Sequence, residues 1–353
     1  MNNFDEPVPK PFDFVPVPGI VNTQPAPGHH GINENGKQRM FTMRLVFTAT
    51  FLRPVHVGTG TYRLGKVENE LEAVLEHTSI RRYREGKTVG LLAIPGSSLK
   101  GAIRSIVEAI TNSCLPVSDV KTKKALPELS ACSGSGKLCP ACSLFGAQGY
   151  LGRIACHDVL VPRQKMGAVK IPNLWQPARG QKLPGFYFPK GRQRSPDRLG
   201  SGNPGRKFYY HRRPAEGPVV RMVCRRGTTA TITIDLNPGN LAEAGLILCA
   251  LGCHPQHDFP LKIGAGKPVG LGSVQIKPHE VFIYDEAGKA AGRLGSQYHQ
   301  VTADALDSWV KSAVQAALTP LKGQPLVDLD RLQQLAFIYS QDGLSEEAPS
   351  GVY

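Results

Sequence analysis

The first regular alternation of apolar and polar positions begins at Arg44, where RLVFTATFL predicts a strand over Arg44–Leu52. Before it, residues 1–40 carry seven prolines and the glycines Gly19, Gly28, Gly31 and Gly36, with little periodicity. That composition suits an extended arm, ordered only where a partner holds it. Downstream, Leu99, Ile103, Ile106, Val107 and Ile110 recur at helical spacing, and Ser97 or Ser98 is the expected N-cap. Between strand and helix lie Pro54–Gly60 (PVHVGTG) and a polar stretch over 61–90, too long for a turn and therefore functional or a protruding hairpin. Arg153–Val161 predicts another strand, whereas residues 163–216 break the pattern. Val219–Arg225 and Thr228–Leu236 read as a hairpin about Gly227, and Asn240–Leu251 as an apolar helix. Leu261–Gly272 (LKIGAGKPVGLG) is a glycine-rich loop closing into a short strand, Ser273–Lys277. From about 281 the pattern gives one amphipathic helix, Ala303–Leu318, and a weaker one near Leu329–Phe337. No repeat recurs at 20–50 residues. Strands and helices both recur along the chain, so it is neither all-α nor all-β.

With 353 residues, 41% of them hydrophobic, the chain can bury a substantial core. Lys plus Arg number 42 against 28 Asp plus Glu, a formal charge of +14. Such an excess implies a polyanionic partner, because each phosphate neutralised releases condensed counterions. The longest apolar run is about Ala244–Cys253, too short to span a bilayer, and MNNFDEPVPKP has no cationic segment leading into an apolar one. A cytoplasmic protein with no membrane association is expected.

Three of the eight cysteines cluster as Cys132-x6-Cys139-x2-Cys142. In a cytosolic chain this spacing predicts metal ligation, and tetrahedral zinc needs a fourth ligand. Cys114 is the first choice, with Cys156 and His157 as alternatives. Cys224, Cys249 and Cys253 read as core, and nothing flanking Cys139 and Cys142 suggests a redox pair.

Lys100 and Arg104 share a helix face away from the apolar stripe, next to a helix start able to bind an anion; a solvated basic face is the plain alternative. Between Lys190 and Arg213, eight Lys/Arg face the single Asp197 and are interleaved with Phe208, Tyr209, Tyr210 and His211. Bases stack on such aromatics while phosphates pair with the cations. The glycine loop fits neither the dinucleotide fingerprint, since position 269 is Val, nor a P-loop, so nucleotide binding is unsupported. It offers Lys262 and Lys267 on backbone that can approach a phosphate closely. Ser97-x-x-Lys100 lacks the companion motifs of a penicillin-binding nucleophile.

Taken in order, Pro54–Gly60, Ile94–Gly101 (IPGSSLKG) with Ala-Ile-Arg104, Cys139–Gly146 (CPACSLFG) with Gly152-Arg153, and Leu261–Gly272 resemble the RAMP superfamily, specifically the backbone subunits of type III CRISPR effector complexes. The resemblance covers roughly 41–278, and the GRKFYYH segment is similar to a subtype III-D-like branch. It implies an α+β fold, a ferredoxin-like (RNA-recognition-like) βαββαβ core with a thumb hairpin, a zinc-binding segment and a long insertion. On that reading residues 1–40 are an arm, 41–280 the RAMP domain (thumb 61–93, zinc segment 114–142, basic insertion 163–216) and 281–353 a helical tail. Its partners would be guide and target RNA, other RAMP subunits, and the large and small subunits of the complex, in antiviral defence. The residues assigned to RNA are His56, Gly58, Gly60, Ser97, Ser98, Lys100, Arg104, Arg153, Arg192, Arg194, Arg206, Lys207, Tyr209, Tyr210, His211, Lys262, Gly264, Gly266 and Lys267, and those assigned to zinc are Cys114, Cys132, Cys139 and Cys142.

Cleaving members of the family use a thumb Asp with a divalent metal. Here no Asp occurs between Asp13 and Asp119, and Glu76 is nearest the expected place. A longer side chain displaces the carboxylate by about 1 Å, enough to cost about a hundredfold in rate. A non-cleaving subunit is therefore expected. The enzymatic alternatives are target cleavage through Glu76 with Mg or Mn, or guide-precursor processing through His56 or His77. A zinc-stabilised RNA-binding protein of the translation machinery is a third class, one that leaves IPGSSLKG and the glycine loop unexplained.

Overall fold

The computed structural model describes residues 11–29, 40–84, 87–116, 126–134, 136–174, 205–284, 298–320 and 323–349. The fold is mixed α+β, built on an antiparallel sheet whose central strand is Phe41–Phe51. Ser273–Tyr284 pairs along one side of that strand and Thr229–Gly239 along the other, with Ile154–Cys156 beyond Thr229–Gly239. The helix Gly96–Ile110 follows the first of these strands in the chain and the helix Leu241–Ala250 follows the third. In chain order the unit is β-α-β-β-α-β, and in space its strands lie fourth, first, third, second. Two short strands extend the fourth, Leu261–Lys262 at one end and Tyr298–Val301 at the other.

One contiguous core unites Phe47 and Phe51 of the central strand, Leu99 and Ile103 of the first helix, and Leu246 and Ile247 of the second. Val314, Leu332 and Leu335, from the helices Ala303–Leu318 and Leu329–Ile338, belong to that same core. The C-terminal region is thus part of the domain's packing. The helix Ala303–Leu318 crosses Leu241–Ala250 so closely that a Cβ on Gly245 would lie 1.9 Å from Ala313 O.

Where a single thumb hairpin is expected, two are found. Gly58–Val67 pairs with Glu70–His77 through the two-residue turn Glu68-Asn69, both in the left-handed region (φ 50° and 69°), the geometry that matches strand twist. Ser79–Arg84 then pairs with Lys87–Ile94. The expected hairpin about Gly227 does not form. Val219–Cys224 and Thr229–Gly239 are both strands, but the first joins a four-stranded sheet between Met166–Ile171 and Glu70–His77, while the second enters the central sheet. Each buries a different apolar face, so the turn changes sheets. Met166–Ile171 and Gly205–Tyr209 are also strands inside the stretch 163–216, where the sequence pattern gives none.

The arm is held by its own chain: Phe12–Pro16 pairs with Gly205–Tyr209, and Gln24–Pro25 with Lys137–Leu138. Phe14 and Val15 are buried, which supplies the apolar contact that proline-rich composition conceals. No helix among the described residues is long and apolar enough to cross a membrane.

Candidate nucleic-acid interface and cysteine cluster

The motif IPGSSLKG places Gly96 where the first helix abuts another strand. A Cβ there would sit 2.0 Å from Cys156 O, so only glycine admits the close approach. Neither Ser97 nor Ser98 caps this helix. Its N-cap is Pro95, which makes no side-chain cap bond, and Asp158 Oδ1 accepts instead from Gly96 N at 2.8 Å. A carboxylate brought from 62 residues away thus meets the positive end of the helix. Ser97 is exposed and Ser98 half-buried at this end.

One turn on, Lys100 donates to Ile154 O at 2.8 Å. Arg104 donates to Glu108 Oε1 (2.8 Å), to Gly146 O (3.1 Å) and to Cys142 Sγ (3.8 Å). Arg206 also pairs with Glu108, through the carboxylate's other oxygen. These residues line one face of an open cleft of about 810 Å³, and Phe145–Gly152 supply the other, with Tyr150 and an exposed Leu151 among them. Three cations stand against Glu108 here, so the cleft is electropositive and carries an aromatic side chain.

Beneath it lies the cysteine cluster. Cys114, Cys132, Cys139 and Cys142 have sulfurs within 4.8 Å of one another, and Cys114 Sγ is 3.5 Å from Cys142 Sγ and 3.6 Å from Cys139 Sγ. Tetrahedral Zn–S bonds of about 2.3 Å place ligand sulfurs about 3.8 Å apart, so the donor set fits zinc. Cys139 heads the short helix Pro140–Phe145, and its sulfur accepts from Cys142 N, while Cys132 Sγ accepts from Cys139 N. The neighbouring thiols, Cys114 foremost and then Cys132 and Cys142, hold the Cys139 thiol far below its ordinary value against the opposing effect of burial. Cys132 is lowered to about 7, chiefly by its bond with Cys114. A sulfur-rich ligand set carries excess negative charge, and Arg104 stands where it offsets that charge. Cys156 and His157, the alternative ligands, lie apart; His157 instead pairs with Asp235, 2.8 Å away. Among the described residues this cluster is the grouping of three or more potential ligands able to hold a metal.

Other candidate residues are spent inside the fold. Arg153 is buried, donating to Glu243, to Pro238 O (2.6 Å) and to the carbonyl and hydroxyl of Ser143. His211, also buried, bonds to Ser273 Oγ and Pro260 O, and burial lowers its pKa to about 3. Lys262 is buried and donates to Leu271 O at 2.9 Å. Lys207 lies over the rings of Phe12 and Tyr209, and Tyr210 donates to Asp13, so this basic aromatic run meets the N-terminal strand. Arg192 and Arg194 lie outside the described residues.

The two glycine loops meet: Ala265 N donates to His56 O at 2.8 Å, which brings Gly264, Gly266 and Lys267 beside His56, Gly58 and Gly60. His56 and His77 are buried here with ring centroids 6.1 Å apart, and burial lowers His77 to about 4. The hairpin that leads away from this junction exposes Tyr62, Leu64 and Leu71. Glu76, on the same hairpin, pairs with Arg63 at 3.3 Å and accepts from Thr61 Oγ1.

The sequence offers no pattern that finds Asp158, whose partner is remote, whereas Glu243 is legible as the third residue after the cap Asn240.

A profile of the RAMP superfamily matches residues 48–275, and the chain belongs to that superfamily. Among solved structures, a chain described as "Type IV-B CRISPR Complex" is similar at 15% identity and a TM-score of 0.34, covering 67% of this chain and 90% of that one. No curated protein matches the chain.

Proposed function

We propose that this RAMP protein is an RNA-binding backbone subunit of a type III CRISPR effector complex, of a III-D-like branch, that holds guide RNA and the guide–target duplex in antiviral defence. The observation that carries the reading is the electropositive cleft beside the first helix, built by the family's own motif residues Lys100 and Arg104 with Arg206 and Tyr150. The spatial strand order fourth, first, third, second supports a ferredoxin-like, RNA-recognition-like core beneath it.

Lys100 meets a backbone phosphate at the cleft, and Tyr150 and Leu151 offer surfaces for sugar and base. The exposed Tyr62, Leu64 and Leu71 form an apolar thumb that inserts between stacked bases of the guide–target duplex. Base pairing supplies sequence specificity, so the protein needs only shape and backbone contacts. The four cysteines hold one zinc ion, which fixes the loop 132–142 against the first helix. The subunit binds and does not cut: the carboxylate of Glu76 is engaged by Arg63 and Thr61, and His56 and His77 are buried. Neighbouring RAMP, large and small subunits complete the complex in the cytoplasm.

Affinity purification of the tagged protein from its native host, with sequencing of the bound RNA, tests this. Short RNAs sharing a repeat-derived 5′ tag, together with large and small subunits, are the expected yield. Bulk ribosomal or messenger fragments would overturn it.

A further inference from the structure

The final described segment of the chain lies across a patch of arginine that has little else to neutralise it. Arg53, just past the central strand, is buried, and its guanidinium donates to three backbone carbonyls: Leu52 O at 2.9 Å, Arg212 O at 3.3 Å and Leu344 O. No carboxylate pairs with it among the described residues. Its pKa is lowered by burial first, then by Arg226 and Arg213. Those three arginines line an open cleft of about 490 Å³ with Pro54, Pro214, Glu216 and Glu347. Behind it, Lys262 is held well below the usual lysine value by burial and by Lys267, Arg53 and Arg212.

Against these cations stand Glu216 and two acids of the C-terminal segment. Glu346 pairs with Arg212 at 2.9 Å and Glu347 with Arg213 at 4.0 Å, both carboxylates largely exposed. The segment is clipped on by two backbone bonds, Arg213 N to Glu346 O (2.6 Å) and Ala348 N to Arg213 O (2.9 Å), and anchored by the buried Ala348. Exposed pairs of this kind contribute little. A phosphodiester, by contrast, would give Arg53 and Arg226, which pair with no carboxylate among the described residues, a charge-assisted partner. The segment also lies beyond residue 275, where the family match ends.

We propose that Arg53, Arg213 and Arg226 form a second phosphodiester site for RNA, distinct from the Lys100 cleft, and that the Glu346–Glu347 segment occupies it until RNA displaces it. The carboxylates act as an internal stand-in for phosphate: Glu347 faces Arg213 in the cleft, Glu346 holds the adjacent Arg212, and both leave when a higher charge density arrives. This rests on the RNA-binding reading above. It adds a contact from outside the family's motifs and a device that makes free RNA compete with the protein's own tail.

The test uses the full chain and a fluorescein-labelled single strand of about 20 nucleotides, titrated across a salt series. Glu346→Gln with Glu347→Gln should tighten binding roughly three- to tenfold, since two exposed pairs no longer compete. Arg213→Ala with Arg226→Ala should weaken it and make the log–log salt slope shallower by about 1.4, two single-strand phosphate contacts. Hydrogen exchange in the wild-type protein should show the Arg213 and Ala348 amides losing protection when RNA binds. Binding that both double variants leave unchanged, with those amides equally protected with and without RNA, overturns the proposal while leaving RNA binding intact. An effect of the arginine pair with none from the glutamate pair overturns the displacement. If neither the wild-type protein nor the glutamate variant binds the strand at low salt, the RNA-binding reading itself fails.

Discussion

Arg153 grips the carboxylate of Glu243, and in doing so ties the edge strand Ile154–Cys156 to the first turn of the helix Leu241–Ala250. The same carboxylate accepts from Asn240 N at 3.1 Å as half of a capping box, so one glutamate closes the helix start and neutralises a buried cation. Arg153→Met leaves Glu243 without its counter-ion and should lower stability by about 3–5 kcal/mol. Arg153→Met combined with Glu243→Gln should recover part of that loss. Urea unfolding midpoints check both, and RNA affinity per folded molecule should stay at the wild-type value, because the guanidinium is turned inward.

The Asp158 carboxylate caps the first helix from another strand. Asp158→Ala should cost about 1 kcal/mol, and Asp158→Asn less, because the amide oxygen still accepts from Gly96 N. Equal unfolding midpoints for all three proteins would show that the cap contributes nothing.

Replacing Cys139 and Cys142 by Ser removes two of four thiolate donors at the cluster. About one zinc per chain should be lost from the purified protein, with a lower melting temperature, since metal binding and local folding are coupled. Metal content unchanged by the substitutions would show that these sulfurs hold no ion.

Burial keeps His77 and His211 neutral, with pKa values of about 4 and about 3. In the unfolded chain both take up a proton near pH 6.5. The unfolded state therefore binds more protons between those values and about 6.5, and stability falls as pH falls through that window, by about 1.4 kcal/mol per pH unit for each histidine. Urea midpoints of the wild-type protein should drop between about pH 6.5 and 4.5, and His77→Gln should drop less across the same range.

For RNA contact at the first helix, Lys100 is the sharper probe, because Arg104 also braces Glu108 and Cys142. Lys100→Ala should weaken single-strand binding and make the salt slope shallower by about 0.7, one phosphate contact, with the melting temperature nearly unchanged. A slope identical to wild type would place that phosphate elsewhere.

Much of this was written in local pattern. The stripe Leu99, Ile103, Ile106, Val107 and Ile110 marks a helix that the structure buries on that face, and Ala303–Leu318 has the bounds its periodicity gives. The spacing of Cys132, Cys139 and Cys142 needs only a tight turn to bring the sulfurs together, so it was readable before any fold was known. The motif IPGSSLKG was readable by resemblance, but the close approach to Cys156 O that demands glycine at position 96 is set by a distant strand.

Pairing between distant segments was not legible. Composition makes the N-terminal arm resemble a free tether, yet Phe12–Pro16 finds the backbone of Gly205–Tyr209, and no rule of propensity contains that partner. The same holds for the strands on either side of Gly227, where short-range logic favours a hairpin and burial of two separate apolar faces overrides it. Charge was the least readable property of all. Arg153, Lys262 and Arg206 carry the same formal charge as Lys100 in a sequence count, but only the tertiary structure decides which cations are neutralised by Glu243 or Glu108, which are buried on a carbonyl, and which remain for a ligand. Residue type fixes a charge, whereas desolvation and the nearest counter-charge fix what that charge can do, and both are set by contacts between residues far apart in the chain.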